Sequence, residues 1–246
     1  MTKNGLKKNA KHFSGKIYLM PGMGAKPEIF SRLRFPSGWQ VIPVEWLLPA
    51  RNESLAVYAA RLIEHYRIVP DSVLLGMSFG GILIREIAEQ IPVSGLVYIS
   101  TVKSREELPP VYTIGRKLQV WHYLPYGLIT RPERMKEFVP LKSLRKRIQL
   151  YEHYMGIKNP AYFKWAVKQL LTWKRSLPVI PYIHIHGTGD LIFPFKHLRA
   201  GRIPVQGAGH LAVMTHPFQI NKILKKRLAP EGFSFGKLEH QNRIDD

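Results

Sequence analysis

The stretch Ser72-Val-Leu-Leu-Gly-Met-Ser-Phe-Gly-Gly81 is the most informative part of this 246-residue sequence for its fold. Its first half is a short, unbroken apolar run, which is typical of a strand buried on both faces of a sheet. The residues that follow, Gly80–Gln90, have the pattern of a helix. Ser78 stands between the two elements, with a glycine two positions away on each side. The stretch therefore predicts a strand, a tight turn with Ser78 at its tip, and a helix.

A serine in such a turn can serve as a nucleophile, because the turn lifts its hydroxyl clear of the sheet. The turn forces the serine into a strained backbone conformation, and the positions that flank it closely must lack side chains. Gly76 and Gly80 meet that requirement. We interpret Ser78 as a catalytic nucleophile; the alternative is an ordinary glycine-rich turn between a strand and a helix.

The rest of the chain alternates apolar runs with amphipathic stretches, which predicts an α/β fold with a mostly parallel sheet and helices on both faces. We treat residues 1–246 as a single domain. Residues 103–159, rich in proline, aromatic and basic residues, interrupt the alternation and are predicted to form an inserted cap. The other predicted strands are Lys16–Met20, Trp39–Trp46, Gly95–Ser100, Ile180–Ile185 and Arg202–Val205, and the other predicted helices are Pro27–Leu33, Ser54–Ile68, one from Pro160 and Pro217–Leu228.

A serine nucleophile needs a base, and His210 is our candidate among ten histidines. It ends the glycine-rich loop Gly207-Ala-Gly-His210, which can aim an imidazole at the carboxyl ends of the strands. Asp190 follows the loop that begins at His186 and would hold the histidine tautomer and stabilise the imidazolium. The alternatives are a surface or capping role for His210 and a turn role for Asp190. We interpret His184 and His186 as core or near-core residues, and His186 as the one that could border the site.

An oxyanion hole needs two backbone N–H groups aimed at the developing negative charge. We expect one from Phe79, which follows the serine, and one from Met23, in the loop after the first strand. Their side chains would line an acyl pocket or pack in the core. Three aromatic residues of the predicted cap, Trp121, Tyr123 and Tyr126, are candidates for the substrate pocket, with simple packing as the alternative.

These motifs, in the order serine, aspartate, histidine, resemble the α/β-hydrolase superfamily over roughly residues 16–228. The resemblance implies hydrolysis of an ester, thioester or amide of a small acyl substrate through an acyl-enzyme, with no metal or organic cofactor. A serine rather than an aspartate at the turn argues against the dehalogenase and epoxide-hydrolase branches. The chain departs from the family in its reduced N-terminal strand pair, in Pro21-Gly22-Met23 where many members have His-Gly-X, and in its cap.

The formal net charge of +20 is unusual. Residues 102–175 hold 16 lysines and arginines, five glutamates and no aspartate. No helix-turn-helix or zinc-finger spacing accompanies the charge, so we expect no nucleic-acid partner. Two other functions stay open: an acyltransferase with the same three residues, and a non-catalytic basic binding protein on the same scaffold.

The chain has no cysteine, which excludes disulfides, thiolate metal sites and a cysteine nucleophile. No stretch approaches the twenty or so uninterrupted apolar residues of a membrane span. The lysine-rich start is not followed by the apolar block of a secretory signal. We therefore expect a cytoplasmic protein without a transmembrane segment, and the composition leaves its oligomeric state open.

Overall fold

The computed structural model describes residues 15–131, 149 and 152–229. Six strands form one sheet in the order β2-β1-β3-β4-β5-β6, and every neighbouring pair is parallel. This confirms the predicted α/β fold. The strands are β1 Gly15–Met20, β2 Trp39–Pro43, β3 Val73–Met77, β4 Gly95–Ile99, β5 Tyr182–Gly187 and β6 Arg202–Val205.

The direction of the strand order reverses between β1 and β3. The chain goes from β1 to β2 on one side, and then from β3 to β6 on the other. Loops that leave the carboxyl ends of the two central strands diverge at such a point and open a crevice there. The turn that carries Ser78 leaves β3 at this reversal, so the fold places the predicted nucleophile where open α/β sheets form their sites.

Helices cover both faces of the sheet because alternate strand residues point to opposite sides. In β1, Tyr18 and Met20 belong to one buried cluster, whereas Ile17 and Leu19 belong to the other. The α-helices that lie wholly within the described residues are α1 Leu55–Tyr66, α2 Phe79–Ile87, α3 Pro110–Lys117, α4 Tyr126–Ile129, α5 Pro160–Thr172, α6 Ala212–Thr215 and α7 Pro217–Arg227. Helices α1, α2 and α5 pack in the first cluster, and α6 and α7 pack in the second.

Side-chain caps begin two of the helices. The hydroxyl of Ser54 accepts a hydrogen bond from the N–H of Val57 (3.2 Å) at the start of α1. The side chain of Asn159 accepts bonds from the N–H groups of Ala161 (2.8 Å) and Tyr162 (3.2 Å) at the start of α5. Such caps satisfy donors that have no acceptor within the helix, which is why both helices begin where they do.

Two predicted strands differ from the structure by two or more residues at an end. Strand β5 covers Tyr182–Gly187, two residues later than predicted. Pro181 has no N–H to donate, so it stands before the strand, where its carbonyl accepts from Leu96 (3.0 Å). Strand β2 ends at Pro43, so the predicted last residue, Trp46, lies outside the sheet.

Between β4 and α5 the described residues form short helical segments, of which α3 and α4 contact α5. Residues 132–148, 150 and 151 of the predicted cap lie outside the described residues. A cap with the bounds 103–159 therefore stays a prediction, as does the single domain. Within the part of the chain that the structure describes, no helix is both long and apolar enough to span a membrane.

Candidate active site

Ser78 has the strained backbone that the sequence predicts. Its φ of 53° and ψ of −123° lie in a region that residues other than glycine seldom adopt. Two hydrogen bonds hold it there: its N–H donates to the carbonyl of Ile99 (3.1 Å), and the hydroxyl of Thr101 donates to its carbonyl (2.6 Å). The carboxyl end of β4 and the residues just after it thus hold the backbone of Ser78 in this conformation.

The glycines around Ser78 allow strand and helix to approach closely. A Cβ atom at Gly80 would lie 2.2 Å from the carbonyl oxygen of Met20, and one at Gly76 would lie 2.4 Å from the carbonyl oxygen of Gly80. A Cβ at Gly81 would lie 2.4 Å from the side chain of Thr101. No side chain fits at these three positions, so the turn requires glycine there.

The three predicted catalytic side chains form one continuous chain of hydrogen-bond distances. Nε2 of His210 lies 2.9 Å from Oγ of Ser78, and Nδ1 of His210 lies 2.9 Å from Oδ2 of Asp190. With its proton on Nδ1, the imidazole donates to the carboxylate and accepts from the serine hydroxyl. This is the arrangement a serine needs if a histidine is to take its proton.

The loops that carry Asp190 and His210 are bonded to each other. The N–H of Gly189 donates to the carbonyl of Ala208 (2.9 Å), and the N–H of Gly207 donates to the hydroxyl of Thr188 (2.9 Å). Gly207 has a φ of 72°, which glycine adopts without strain. These bonds fix the separation of the carboxylate and the imidazole, although the two residues lie on different loops.

Asp190 is buried, with a 2% exposed surface, and its carboxylate has several donors. Oδ1 accepts from the N–H groups of Ile192 (2.8 Å) and Phe193 (3.1 Å), the pattern of an aspartate that closes its own turn. Burial raises the pKa of Asp190, but hydrogen bonds from His186 and His210 outweigh it and hold that pKa well below its ordinary value. The carboxylate is therefore ionised at neutral pH, as support of an imidazolium requires.

The loop after β1 lies against Ser78. A Cβ at Gly22 would lie 3.5 Å from the Cβ of Ser78 and 4.0 Å from its Oγ. The indole N–H of Trp46 donates to the carbonyl of Gly22 (2.8 Å), and the N–H of Gly24 donates to the hydroxyl of Tyr162 (3.1 Å). These hydrogen bonds fix Gly22 and Gly24, so the backbone of Met23 between them is held beside Ser78.

Phe79 is the first residue of α2, so its N–H has no acceptor within the helix. That N–H and the N–H of Met23 remain our predicted oxyanion donors. The side chain of Phe79 is buried in the core and stacks on Trp46, with ring centroids 5.5 Å apart. Of the two side chains, only that of Met23 lines the cavity beside Ser78.

The aromatic residues predicted for the substrate pocket lie elsewhere. Trp121 and Tyr126 are buried next to each other, where the hydroxyl of Tyr126 donates to the carbonyl of Trp121 (3.1 Å). Tyr123 is 82% exposed. None of the three is among the described residues that line the cavity at Ser78. The structure does not bring them to that cavity because the short helices that carry them pack toward α5.

His186 has a closer relation to the site than its place in a strand suggested. Its Nε2 lies 3.2 Å from Oδ2 of Asp190 and 2.8 Å from the carbonyl of Phe193. The sequence does carry a signal for this contact, namely a histidine at the end of a predicted strand, four residues before the predicted acid. The neighbouring His184 instead faces Lys103, with Nδ1 2.9 Å from the ammonium nitrogen.

The sequence matches a known protein family over most of its length. A model of the alpha/beta hydrolase family matches residues 14–223. The chain belongs to this family. No curated protein matches the sequence of this α/β hydrolase. Its fold is similar to that of several solved structures, described next.

Three of these structures are esterases. The chain is similar to a thermophilic esterase from Thermogutta terrifontis (TM-score 0.57, 18% identity, 87% of this chain and 90% of that one). It is similar to an esterase from Rhodococcus sp. (TM-score 0.60, 16% identity, 89% and 92%). It is also similar to a carboxylesterase structure from the thaumarchaeon Nitrososphaera gargenis (TM-score 0.60, 19% identity, 88% and 90%). At such low identities the likeness concerns the fold.

Proposed function

We propose that this α/β hydrolase cleaves carboxylic esters or thioesters through an acyl-enzyme on Ser78. The observation that carries the proposal is the unbroken contact from Oγ of Ser78 through the ring of His210 to the ionised Asp190, with 2.9 Å at each step. The esterase names of three proteins with a similar fold also favour it.

The first half of the reaction acylates the serine. Oγ of Ser78 attacks the acyl carbon while Nε2 of His210 takes the hydroxyl proton. Negative charge on the acyl oxygen is stabilised by the N–H groups of Met23 and Phe79. The tetrahedral intermediate then collapses, and His210 gives its proton to the departing alcohol or thiol. Asp190 stays ionised and stabilises the imidazolium.

The second half releases the acid. A water molecule takes the place of the leaving group, and His210 removes one of its protons as the oxygen attacks the acyl carbon. The second tetrahedral intermediate expels Oγ of Ser78, which recovers its proton from His210. This sequence of steps uses only side chains and backbone groups of the protein. We take the substrate to be a small acyl compound.

A panel of esters and thioesters tests this function on wild type and Ser78→Ala in parallel. We expect hydrolysis by wild type and a loss of about 10³-fold or more in the variant, because the residual rate then comes from binding and the oxyanion donors alone. Equal rates in the two proteins would contradict the proposal. Added alcohols and amines distinguish an acyltransferase, in which transfer to the acceptor would exceed transfer to water.

A further inference from the structure

A cavity of about 140 Å³ opens beside Ser78, between the loop after β1 and helix α6. We propose that this cavity binds the acyl chain of the substrate and limits that chain to about six carbon atoms. The inference rests on the proposed function, since it assigns a substrate class to the same serine. It adds what the catalytic residues themselves do not specify, namely the size and polarity of the acyl group.

The cavity is lined both by catalytic groups and by apolar side chains. Ser78 and His210 line it together with Gly22. None of the described lining residues is a lysine, arginine, aspartate or glutamate, although the whole chain has a net charge of +20. The apolar wall includes Met23, Ala25, Ile29, Tyr154, Leu211 and Met214.

The absence of charge among these residues matters for the substrate. A carboxylate or phosphate placed in such a cavity would lose its hydration without gaining a partner. Among the described residues, the basic surface therefore does not extend into the cavity, and the acyl group that fits this lining is neutral and apolar. Each methylene that enters would add about fourfold to kcat/KM by the transfer of apolar surface from water.

The volume sets the upper limit on chain length. An apolar cavity of about 150 Å³ engineered into another protein binds benzene, which has six carbon atoms. The walls here are firm, because Ala25, Ile29 and Met214 are themselves buried in the core cluster that α6 and α7 share with the sheet. Protein interiors are close-packed, and side chains in them shift only at a cost in free energy. We therefore expect the cavity to exclude an acyl chain of more than about six carbon atoms.

The cavity suits the acyl part better than the leaving group. The leaving alcohol must depart before water can attack, whereas the acyl group stays bonded to Ser78 through both halves of the reaction. Ile29 and Met77, which line the cavity, are buried side chains, so the part of the wall that they form offers no exit to solvent. The segment that would supply the second oxyanion donor, Met23, also continues directly into the wall at Ala25.

Chain-length profiles test the assignment. For wild type we measure kcat/KM with p-nitrophenyl esters from acetate to decanoate, and expect a maximum near hexanoate with a fall of about tenfold by decanoate. Met214→Ala removes about three heavy atoms from the wall and should move the maximum two or three carbons longer. Ala25→Leu should move it to shorter chains. If Met214→Ala does not fold, Ile29→Val tests the same wall by one methyl group.

Leu224→Ala is the matched control. Leu224 is buried in the same core cluster but does not line the cavity, so its truncation should leave the profile unchanged. A flat wild-type profile from acetate to decanoate would overturn the cavity assignment and leave the hydrolase function standing. A shift confined to a series of acetate esters with longer alcohols would also overturn it, because the cavity would then hold the leaving group.

A binding measurement separates failure of the cavity from failure of the function. In Ser78→Ala, NMR titrations with neutral amides from acetamide to decanamide report on the cavity without turnover. We expect hexanamide to bind most tightly. Preferential hexanamide binding in a protein whose wild type cleaves no ester would sustain the cavity and contradict the hydrolase function. Equal binding of all chain lengths would overturn the cavity.

Discussion

Nε2 of His186 lies 3.2 Å from Oδ2 of Asp190, and that same carboxylate oxygen lies 2.9 Å from Nδ1 of His210. Two imidazole rings thus share one oxygen of the proposed catalytic acid. His186 is fully buried in β5 and is not among the described residues that line the cavity at Ser78, so it acts on the reaction through its neighbours, above all Asp190. We regard it as a positioning residue.

Replacement of His186 by alanine should slow catalysis without weakening substrate binding. The change removes a donor from the Asp190 carboxylate, and a loss of about 1.4 kcal/mol in transition-state stabilisation would lower kcat about tenfold. KM should stay the same. Steady-state kinetics check this, and His186→Gln, which keeps an N–H donor, should recover part of kcat. Equal kcat in alanine and wild-type proteins would contradict the role.

Asp190→Asn should destabilise the protein more at neutral than at acid pH. Hydrogen bonds hold the folded-state pKa of Asp190 below its ordinary value of 3.8. A group with a lowered folded pKa stabilises the protein above its unfolded pKa, and this contribution is lost as the pH falls through the folded pKa. The difference in unfolding free energy between wild type and variant should therefore shrink from about pH 6 to about pH 2.

Urea unfolding over that pH range measures the effect. Asp71→Asn is the matched control, because Asp71 is an exposed turn residue with a φ of 58°, a conformation that asparagine also tolerates. Replacement of this exposed side chain should change the unfolding free energy by about 0.5 kcal/mol or less. A difference for Asp190→Asn that stays constant across the range would contradict the ionised, hydrogen-bonded carboxylate.

Gly80→Ala should destabilise the protein severely. Its Cβ would lie 2.2 Å from the backbone oxygen of Met20, so β1 and α2 would have to separate, at a cost of about 4 kcal/mol or more. Gly127→Ala is the control, since a Cβ there meets nothing within 4 Å and alanine favours helix α4 by about 1 kcal/mol. Thermal unfolding compares the two. Similar midpoints for both variants would contradict the close approach.

The buried pair of Lys103 and Glu107 should show strong coupling. Both side chains are fully buried, with 2.6 Å between Nζ and Oε1, and Glu107 also accepts from the N–H of Arg199 (2.9 Å). Removal of one partner leaves an uncompensated charge in the core, so Lys103→Met should cost about 3–5 kcal/mol. The double variant with Glu107→Gln should cost less than the sum of the two single changes. Additive costs in urea unfolding would contradict this.

Much of the fold could be predicted from the sequence because its strongest signals are local. Each signal involves only residues that are close together in the chain. The examples are the unbroken apolar run before Ser78, the glycines on either side of that serine, and the helix caps at Ser54 and Asn159. The end of β2 at Pro43 and the start of β5 at Tyr182 were harder to predict, because they depend on which backbone groups of the neighbouring strand pair there. The α/β architecture was therefore predicted correctly, with shifts of two or three residues at some boundaries.

The cavity that we propose for the acyl chain could not be predicted in the same way. Aromatic composition pointed to Trp121, Tyr123 and Tyr126, but composition does not say which way a short helix packs. The described wall of the cavity includes Ala25 and Met214, which are some 190 positions apart in the chain and line one cavity only because the fold brings the loop after β1 close to α6. Likewise, the contact of His186 with Asp190 depends on the turn geometry after β5.

Activation of Ser78 as a nucleophile by His210 underlies the proposed reaction. Labelling of the folded protein with a fluorophosphonate probe, followed by peptide mass spectrometry, tests this activation directly. We expect the probe on Ser78, no labelling of Ser78→Ala, and labelling slowed by about 10³-fold or more in His210→Ala, whose fold is checked by thermal unfolding. An unlabelled Ser78 in folded wild-type protein, or equal labelling in His210→Ala, would contradict the claim.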